Sequence, residues 1–187
     1  MRRLIVLERI TLDGVFDATS MGQWDFPYHS DERAEVIFRG IHSSDAYLLG
    51  RVTYEMLAPH WSALGNNEMG VADKLNSMKK YVVSSNLEQA EWSNTTILRG
   101  DAAEEVGRLK RQEGGDILVH GSAALVQTLL AAGLVDELQL LVHPMIVGGG
   151  AKLFDDAAQA LPLKLVESRA LGLGVLWLRY QPENSLR

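Results

Sequence analysis

The stretch Gly115-Asp116-Ile117-Leu118-Val119-His120-Gly121-Ser122-Ala123-Ala124-Leu125-Val126-Gln127 carries the clearest chemical signal in the chain. Ile117 to His120 reads as a buried strand, Gly121 and Ser122 break it, and Ala123 to Leu130 reads as a helix. At such a junction backbone N–H groups lack intrahelical partners. With the positive end of the helix dipole they suit a phosphate. Gly121 lets backbone approach a ligand closely, and Ser122 can cap the helix or donate to an anion. Earlier in the chain, Ala46-Tyr47-Leu48-Leu49-Gly50-Arg51-Val52-Thr53-Tyr54-Glu55 repeats the design. Here Gly50 ends a strand while Arg51 and Thr53 bring a guanidinium and a hydroxyl to the turn. The planar fork of Arg can donate two parallel bonds to phosphate. Arg51 could instead pair with Glu55, four residues on. A third strand, Tyr81 to Val83, ends in Ser84-Ser85-Asn86. Three strands thus finish in small, polar or cationic turns, and open α/β sheets bind ligands outside the carboxyl ends of their strands.

Other residues could contribute to chemistry. Asp13, before Gly14, is a candidate for orienting a substrate or relaying a proton, although Asp-Gly also forms turns with no catalytic role. Trp24, Phe26 and Tyr28 could wall a flat heterocycle or pack a loop onto the core. Glu8 stands in an apolar strand, as a site carboxylate or at a solvent-facing edge. His60 with Trp61 could line the pocket mouth or lie on a surface loop, and His120 and His143 fit buried, satisfied histidines. Gly148 to Gly150 could approach a ligand or a second subunit closely, or form a surface turn.

The elements that must position these groups alternate. Leu4 to Ile10 reads as a first strand, followed by a long loop from Thr11 to Tyr28. Ser30 caps a helix to about Gly40, with Asp31 and Glu32 in its first turn. A strand from Ala46 to Leu49 leads into a helix to about Leu57, and an irregular loop covers Ala58 to Asn67. A short helix over Val71 to Met78 precedes the strands Lys80 to Val83 and Thr95 to Leu98. Asp101 caps a helix from Ala102 to Gln112. After the Gly121 junction come a strand from Glu137 to Val142 and a hairpin of Leu163 to Arg169 with Gly174 to Tyr180. This order predicts one α/β domain over 1–187, three-layered. Its central sheet is mostly parallel, with helices on both faces and an antiparallel C-terminal hairpin.

Composition narrows the function classes. The 187 residues are 47% hydrophobic, enough for a core, and the net charge is −6 with no basic block, so nucleic acid is not the expected partner. Cysteine is absent, which excludes disulfides, thiolate metal sites and a Cys nucleophile. No run approaches the ~20 apolar residues that span a bilayer, and the N-terminal segment does not read as a signal peptide. The expectation is a cytoplasmic protein without a membrane partner.

In order along the chain, Leu12-Asp13-Gly14, Leu49-Gly50-Arg51-Val52-Thr53-Tyr54-Glu55, Tyr81-Val82-Val83-Ser84-Ser85, Gly121-Ser122-Ala123-Ala124, Val135-Asp136-Glu137-Leu138 and Gly148-Gly149-Gly150-Ala151 resemble the dihydrofolate-reductase-like superfamily. The likeness is strongest to the reductase domain of riboflavin biosynthesis and its stand-alone relatives, and it covers nearly the whole chain. It implies a reductase that binds NADPH over the carboxyl ends of the strands. Gly50, Arg51 and Thr53 would then hold cofactor phosphate, and Ser84 and Ser85 would lie near the 2′-phosphoribose. Gly121, Ser122, Ala123 and Ala124 would cradle the pyrophosphate. Asp13, as the catalytic carboxylate, and Gly14 would lie beside nicotinamide and substrate, with Trp24 and Tyr28 on the substrate side. The substrate would be a small heterocycle such as 5-amino-6-(5-phosphoribosylamino)uracil. Arg51-Val52-Thr53-Tyr54-Glu55 stands where riboflavin reductases have a glycine-threonine turn and paired aspartates, which leaves that substrate open. Dihydrofolate is an alternative in which Asp31, Glu32 or Glu35 would bond the pterin. Another alternative is a nucleotide-binding protein that has lost its chemistry. No metal site is expected. A homodimer is, because Trp177 with Leu173 and Leu176 would leave an apolar patch on a monomer's edge.

Overall fold

The computed structural model describes residues 1–154 and 160–183, apart from the side chain of Glu68. Its eight strands are β1 (Leu4–Thr11), β2 (Ala46–Gly50), β3 (Lys79–Val83), β4 (Thr95–Leu98), β5 (Ile117–Val119), β6 (Glu137–His143), β7 (Leu163–Ala170) and β8 (Leu176–Pro182). They form one sheet in the order β4-β3-β2-β5-β1-β6-β8-β7. β1 to β6 run parallel, while β8 is antiparallel to β6 and β7 antiparallel to β8. The parallel strands read as nearly unbroken apolar runs because helices cover both their faces.

The helices are α1 (Met21–Trp24), α2 (Asp31–Ser43), α3 (Arg51–Ser62), α4 (Ala72–Ser77), α5 (Ala102–Arg111) and α6 (Ala123–Ala131). On one face Val36 and Ile41 of α2, Tyr54 of α3 and Leu75 of α4 pack against Leu7, Tyr47, Leu49 and Leu118. On the other, Val106 and Leu109 of α5 and Leu125, Val126 and Leu129 of α6 meet Leu4, Val6, Leu48, Ile117 and Val119. Each such side chain contributes roughly 1.5–3 kcal/mol by leaving water. Both anticipated caps form: Ser30 Oγ accepts from Arg33 N at 3.3 Å, and Asp101 Oδ1 from Glu104 N at 3.0 Å.

Three local expectations change. The segment Thr11 to Tyr28 is not all loop. It holds α1 between two single 3-10 turns, Ala18–Ser20 and Phe26–Tyr28, folded around Trp24, which is buried. Helix α3 continues past Leu57 through Pro59 to Ser62; Glu55 and Pro59 are both exposed, so the carbonyl that proline leaves without a donor lies on the solvent side. Trp177 is not an exposed edge residue. It is 7% exposed, lies under the guanidinium groups of Arg169 and Arg179, and donates from Nε1 to Gln139 Oε1 at 3.2 Å. The exposed large apolar residues of that hairpin are Leu165, Val166, Leu173 in its turn, and Leu176.

Candidate active site

The two glycine junctions meet. β2 and β5 are adjacent, and Gly50 N donates to Gly121 O at 3.0 Å where both strands end. A methyl group on Gly50 would lie 2.9 Å from Ser122 N, and one on Gly121 would lie 2.7 Å from Thr53 Oγ1. Gly121 also has φ +59°, a region other residues enter at a cost. These two positions therefore need glycine so that the starts of α3 and α6 can lie side by side.

Ser84 and Ser85 follow β3, the next strand out. A cavity of about 300 Å³ opens across these ends, lined by Gly50, Arg51, Ser84, Ser85, Ser122 and Ala124 among others. The structure thus brings together residues from all three junctions. Ala123 opens α6 behind Ser122, whose carbonyl accepts the first helical bond from Val126 N at 3.0 Å. Ser84 Oγ is engaged by Asn86 N and Leu87 N, at 3.1 and 2.9 Å, and shapes the third turn. Arg51 does pair with Glu55 at 2.7 Å, on an exposed helix face. Such a pair contributes only about 0.3–0.5 kcal/mol, so a phosphate could draw the guanidinium away.

The first loop is laced to the glycine run after β6. Leu12 N donates to Met145 O at 2.9 Å and Phe16 N to Ala151 O at 2.7 Å. Asp13 accepts from Thr11 Oγ1 at 2.6 Å, Gly148 N at 2.8 Å and Val147 N at 3.2 Å, and these bonds hold its carboxyl down at about 2. Its contacts are those of a clip between two loops. Gly14, at φ +83°, makes the turn, and a methyl group on Gly150 would lie 3.2 Å from Val15 Cγ1 of this loop. Phe16 lies within 3.2 Å of where a Gly121 methyl would sit, which brings the first loop to the central junction.

Below the junctions is a polar group that the apolar strand pattern conceals. Glu8, on β1, is 4% exposed and accepts a hydrogen bond from Gly121 N. Burial pushes its carboxyl up to about 8, against the opposing pull of that bond and of Arg9. Tyr47 Oη and His120 Nδ1 share a hydrogen bond of 2.7 Å, and burial holds His120 down at about 3. The solvent-edge alternative for Glu8 does not hold, and His120 is the satisfied histidine that its position suggested.

A second buried group formed without any expectation from the sequence. Asp25, fully buried, receives Arg33, then Arg9 at 3.0 Å, and lies 3.2 Å from His143 Nε2. Burial alone would raise its carboxyl, but the His143 contact and the two guanidinium charges hold it down at about 2. The ring of His143 meets Trp24 and Tyr28 edge-on, with centroids 5.3 and 5.9 Å away. Trp24 is only 1% exposed and so forms the inside of a wall, while Tyr28 keeps partial exposure. Of the acids on α2, Glu32 accepts from Gly172 N and Glu35 pairs with Arg39 on an exposed face, while Asp31 is exposed in the first turn. The buried carboxylate of this region is Asp25, and its partners eight and more residues away were its only signal. Among the described residues no cluster of His, Asp and Glu could hold a metal ion, and no helix is long and apolar enough to cross a membrane.

The sheet order and the convergence of junctions at the strand ends define a dihydrofolate-reductase-like fold. Dihydrofolate reductase from Enterococcus faecalis, solved with NADP(H) and RAB-propyl, superposes with a TM-score of 0.64 at 16% identity, covering 97% of each chain. A diaminohydroxyphosphoribosylaminopyrimidine deaminase/5-amino-6-(5-phosphoribosylamino)uracil reductase from Thermotoga maritima gives 0.68 at 15% identity, covering 97% of this chain and 56% of that one. Within this fold the chain belongs to the RibD C-terminal domain family, which it matches over residues 2–177. The uncharacterized protein YyaP of Bacillus subtilis (strain 168) is 33% identical over 185 residues, 96% of this chain and 94% of YyaP.

Proposed function

We propose that this protein is an NADPH-dependent reductase that transfers hydride to a small heterocyclic substrate. The observation that carries this reading is the single cavity into which Gly50, Arg51, Ser84, Ser85 and Ser122 open at the ends of β2, β3 and β5. The close approach at Gly50 and Gly121, which a side chain would block, is what a dinucleotide cradle requires. In this reading Gly50, Arg51 and Thr53 hold a phosphate, Ser84 and Ser85 face the 2′-phosphoribose, and Gly121 to Ala124 hold the pyrophosphate. When bound, NADPH supplies the hydride. The chain's own contribution is to orient the two reactants and exclude water. Asp13 and Gly14 fix the first loop beside the central junction, and Tyr28 contributes to the substrate side with Trp24 packed behind it. NADPH is preferred to NADH because Arg51 and the two serines offer donors to an extra phosphate, and no acid ends β2 to take up the ribose hydroxyls.

Calorimetric titration with NADPH and NADH tests the cofactor: heat with NADPH at low micromolar concentration is expected, and no heat with either overturns the reading. A second reading keeps the cofactor site and drops the chemistry. It is favoured by the Asp13 carboxylate, which three donors of its own loops already occupy. Asp13→Asn separates the two. In the reductase it lowers turnover with NADPH affinity kept, and in the binding protein there is no turnover to lower. In the reductase reading the protein is a cytoplasmic homodimer, with Leu165, Val166, Leu173 and Leu176 on the exposed C-terminal hairpin as the apolar contact. Light scattering giving the mass of one chain would refute the dimer.

A further inference from the structure

The Asp25 cluster is unbalanced in charge. One buried carboxylate faces two guanidinium groups, Arg9 and Arg33, with His143 Nε2 also 3.2 Å away. The two arginines differ in placement. The Arg33 side chain is 5% exposed and ends on Asp25. The Arg9 side chain is 34% exposed, and among the described residues its guanidinium makes one hydrogen bond, from Nη1 to Asp25 Oδ2, which leaves its other N–H groups without a partner among those residues. Arg9 sits on β1 opposite Leu141, near the carboxyl end of the central strand. It lies close enough to Glu8, Tyr47 and His120 for its charge to act on all three.

None of those three neighbours offsets that charge at neutral pH. Burial keeps the proton on Glu8 up to about pH 8, holds His120 neutral down to about 3, and raises the Tyr47 hydroxyl. Tyr28, the remaining polar ring of the wall, approaches His143 edge-on. A partly exposed guanidinium with free donors, against a wall of neutral groups, is built to receive an anion.

We infer that Arg9 receives an anionic oxygen group of the substrate, a carboxylate or a phosphate, at the carboxyl end of β1. This rests on the reductase reading and narrows it, since the heterocycle then carries a negative charge that Arg9 positions. Arg9 is distinct from the cofactor cradle, where Arg51 is the cation.

Two matched pairs of probes test the inference, orotate with uracil and uridine 5′-monophosphate with uridine. Each is titrated calorimetrically into the full chain with and without saturating NADPH. The charged member of one pair is expected to bind about tenfold or more tightly than its neutral partner, the range of one charge-assisted contact. Preference in the orotate pair identifies a carboxylate, and preference in the uridine pair a phosphate. Arg9→Gln is expected to abolish the preference and Arg9→Lys to retain part of it. Asp25 keeps Arg33 in both variants, and unchanged circular dichroism checks the fold. No preference for the charged member in either pair, absence of binding included, overturns the inference, as does a preference that survives Arg9→Gln. Failure of the reductase reading would appear separately, as absence of heat with NADPH alone.

Discussion

Glu8→Gln should remove a specific pH dependence from the protein's stability. In the folded chain Glu8 is 4% exposed and keeps its proton up to about pH 8, whereas in the unfolded chain it ionises near its ordinary value of 4.5. Between those values the folded state binds more protons than the unfolded state, so stability falls as pH rises through the window. Each pH unit costs about 1.4 kcal/mol. Glutamine has the shape of the protonated acid and keeps an oxygen to accept from Gly121 N, but it does not titrate. The stability of the wild type relative to Glu8→Gln should therefore drop by about 2–3 kcal/mol between pH 5 and pH 7. Urea unfolding of both proteins across pH 5 to 8 measures this difference, and other titrating groups cancel between them. A difference that stays flat over the window would show that Glu8 ionises freely in the folded protein. Both the neutral wall around Arg9 and the account of the Gly121 contact would then fail.

Asp25→Asn should destabilise by about 3–5 kcal/mol, since it leaves two guanidinium groups without their carboxylate. Because Asp25 is held down at about 2, its contribution is present above 3.8 and lost as pH falls towards 2. Acid unfolding should thus be steeper in the wild type than in the variant, and parallel acid limbs would contradict this. Gly50→Ala should cost about 1–3 kcal/mol and weaken NADPH binding, because the new methyl meets Ser122 N at 2.9 Å; thermal melts and calorimetry read the two effects. Arg51→Ala should raise the NADPH dissociation constant about tenfold, the loss of one charged hydrogen bond, and leave NADH little changed. An unchanged NADPH constant would leave Arg51 as the partner of Glu55 alone.

What could be read before the structure, and what could not, follows from how far apart the interacting residues lie. The buried parallel strands announce themselves because both faces are covered, so Ala46–Gly50 and Ile117–Val119 are apolar throughout. Ser30 and Asp101 mark helix starts because a cap acts within three residues. The two glycine junctions are legible for the same reason: Gly50-Arg51 and Gly121-Ser122 are local strand-to-helix turns, and parallel strands deliver their ends to one side of the sheet. Trp177 reads as exposed in the sequence because its cover is two arginines from β7 and β8, whose guanidinium groups lie over its ring. The buried charges could not be assigned at all. Glu8 is buried where Gly121, 113 residues on, meets it, and Arg9 acquires its meaning from Asp25, 16 residues on. An Arg following a Glu in an apolar strand looks like an interruption of the core. Once Asp25 is already matched by Arg33, that Arg is the charge in excess, and this excess is the ground for reading Arg9 as the receiver of an anionic group.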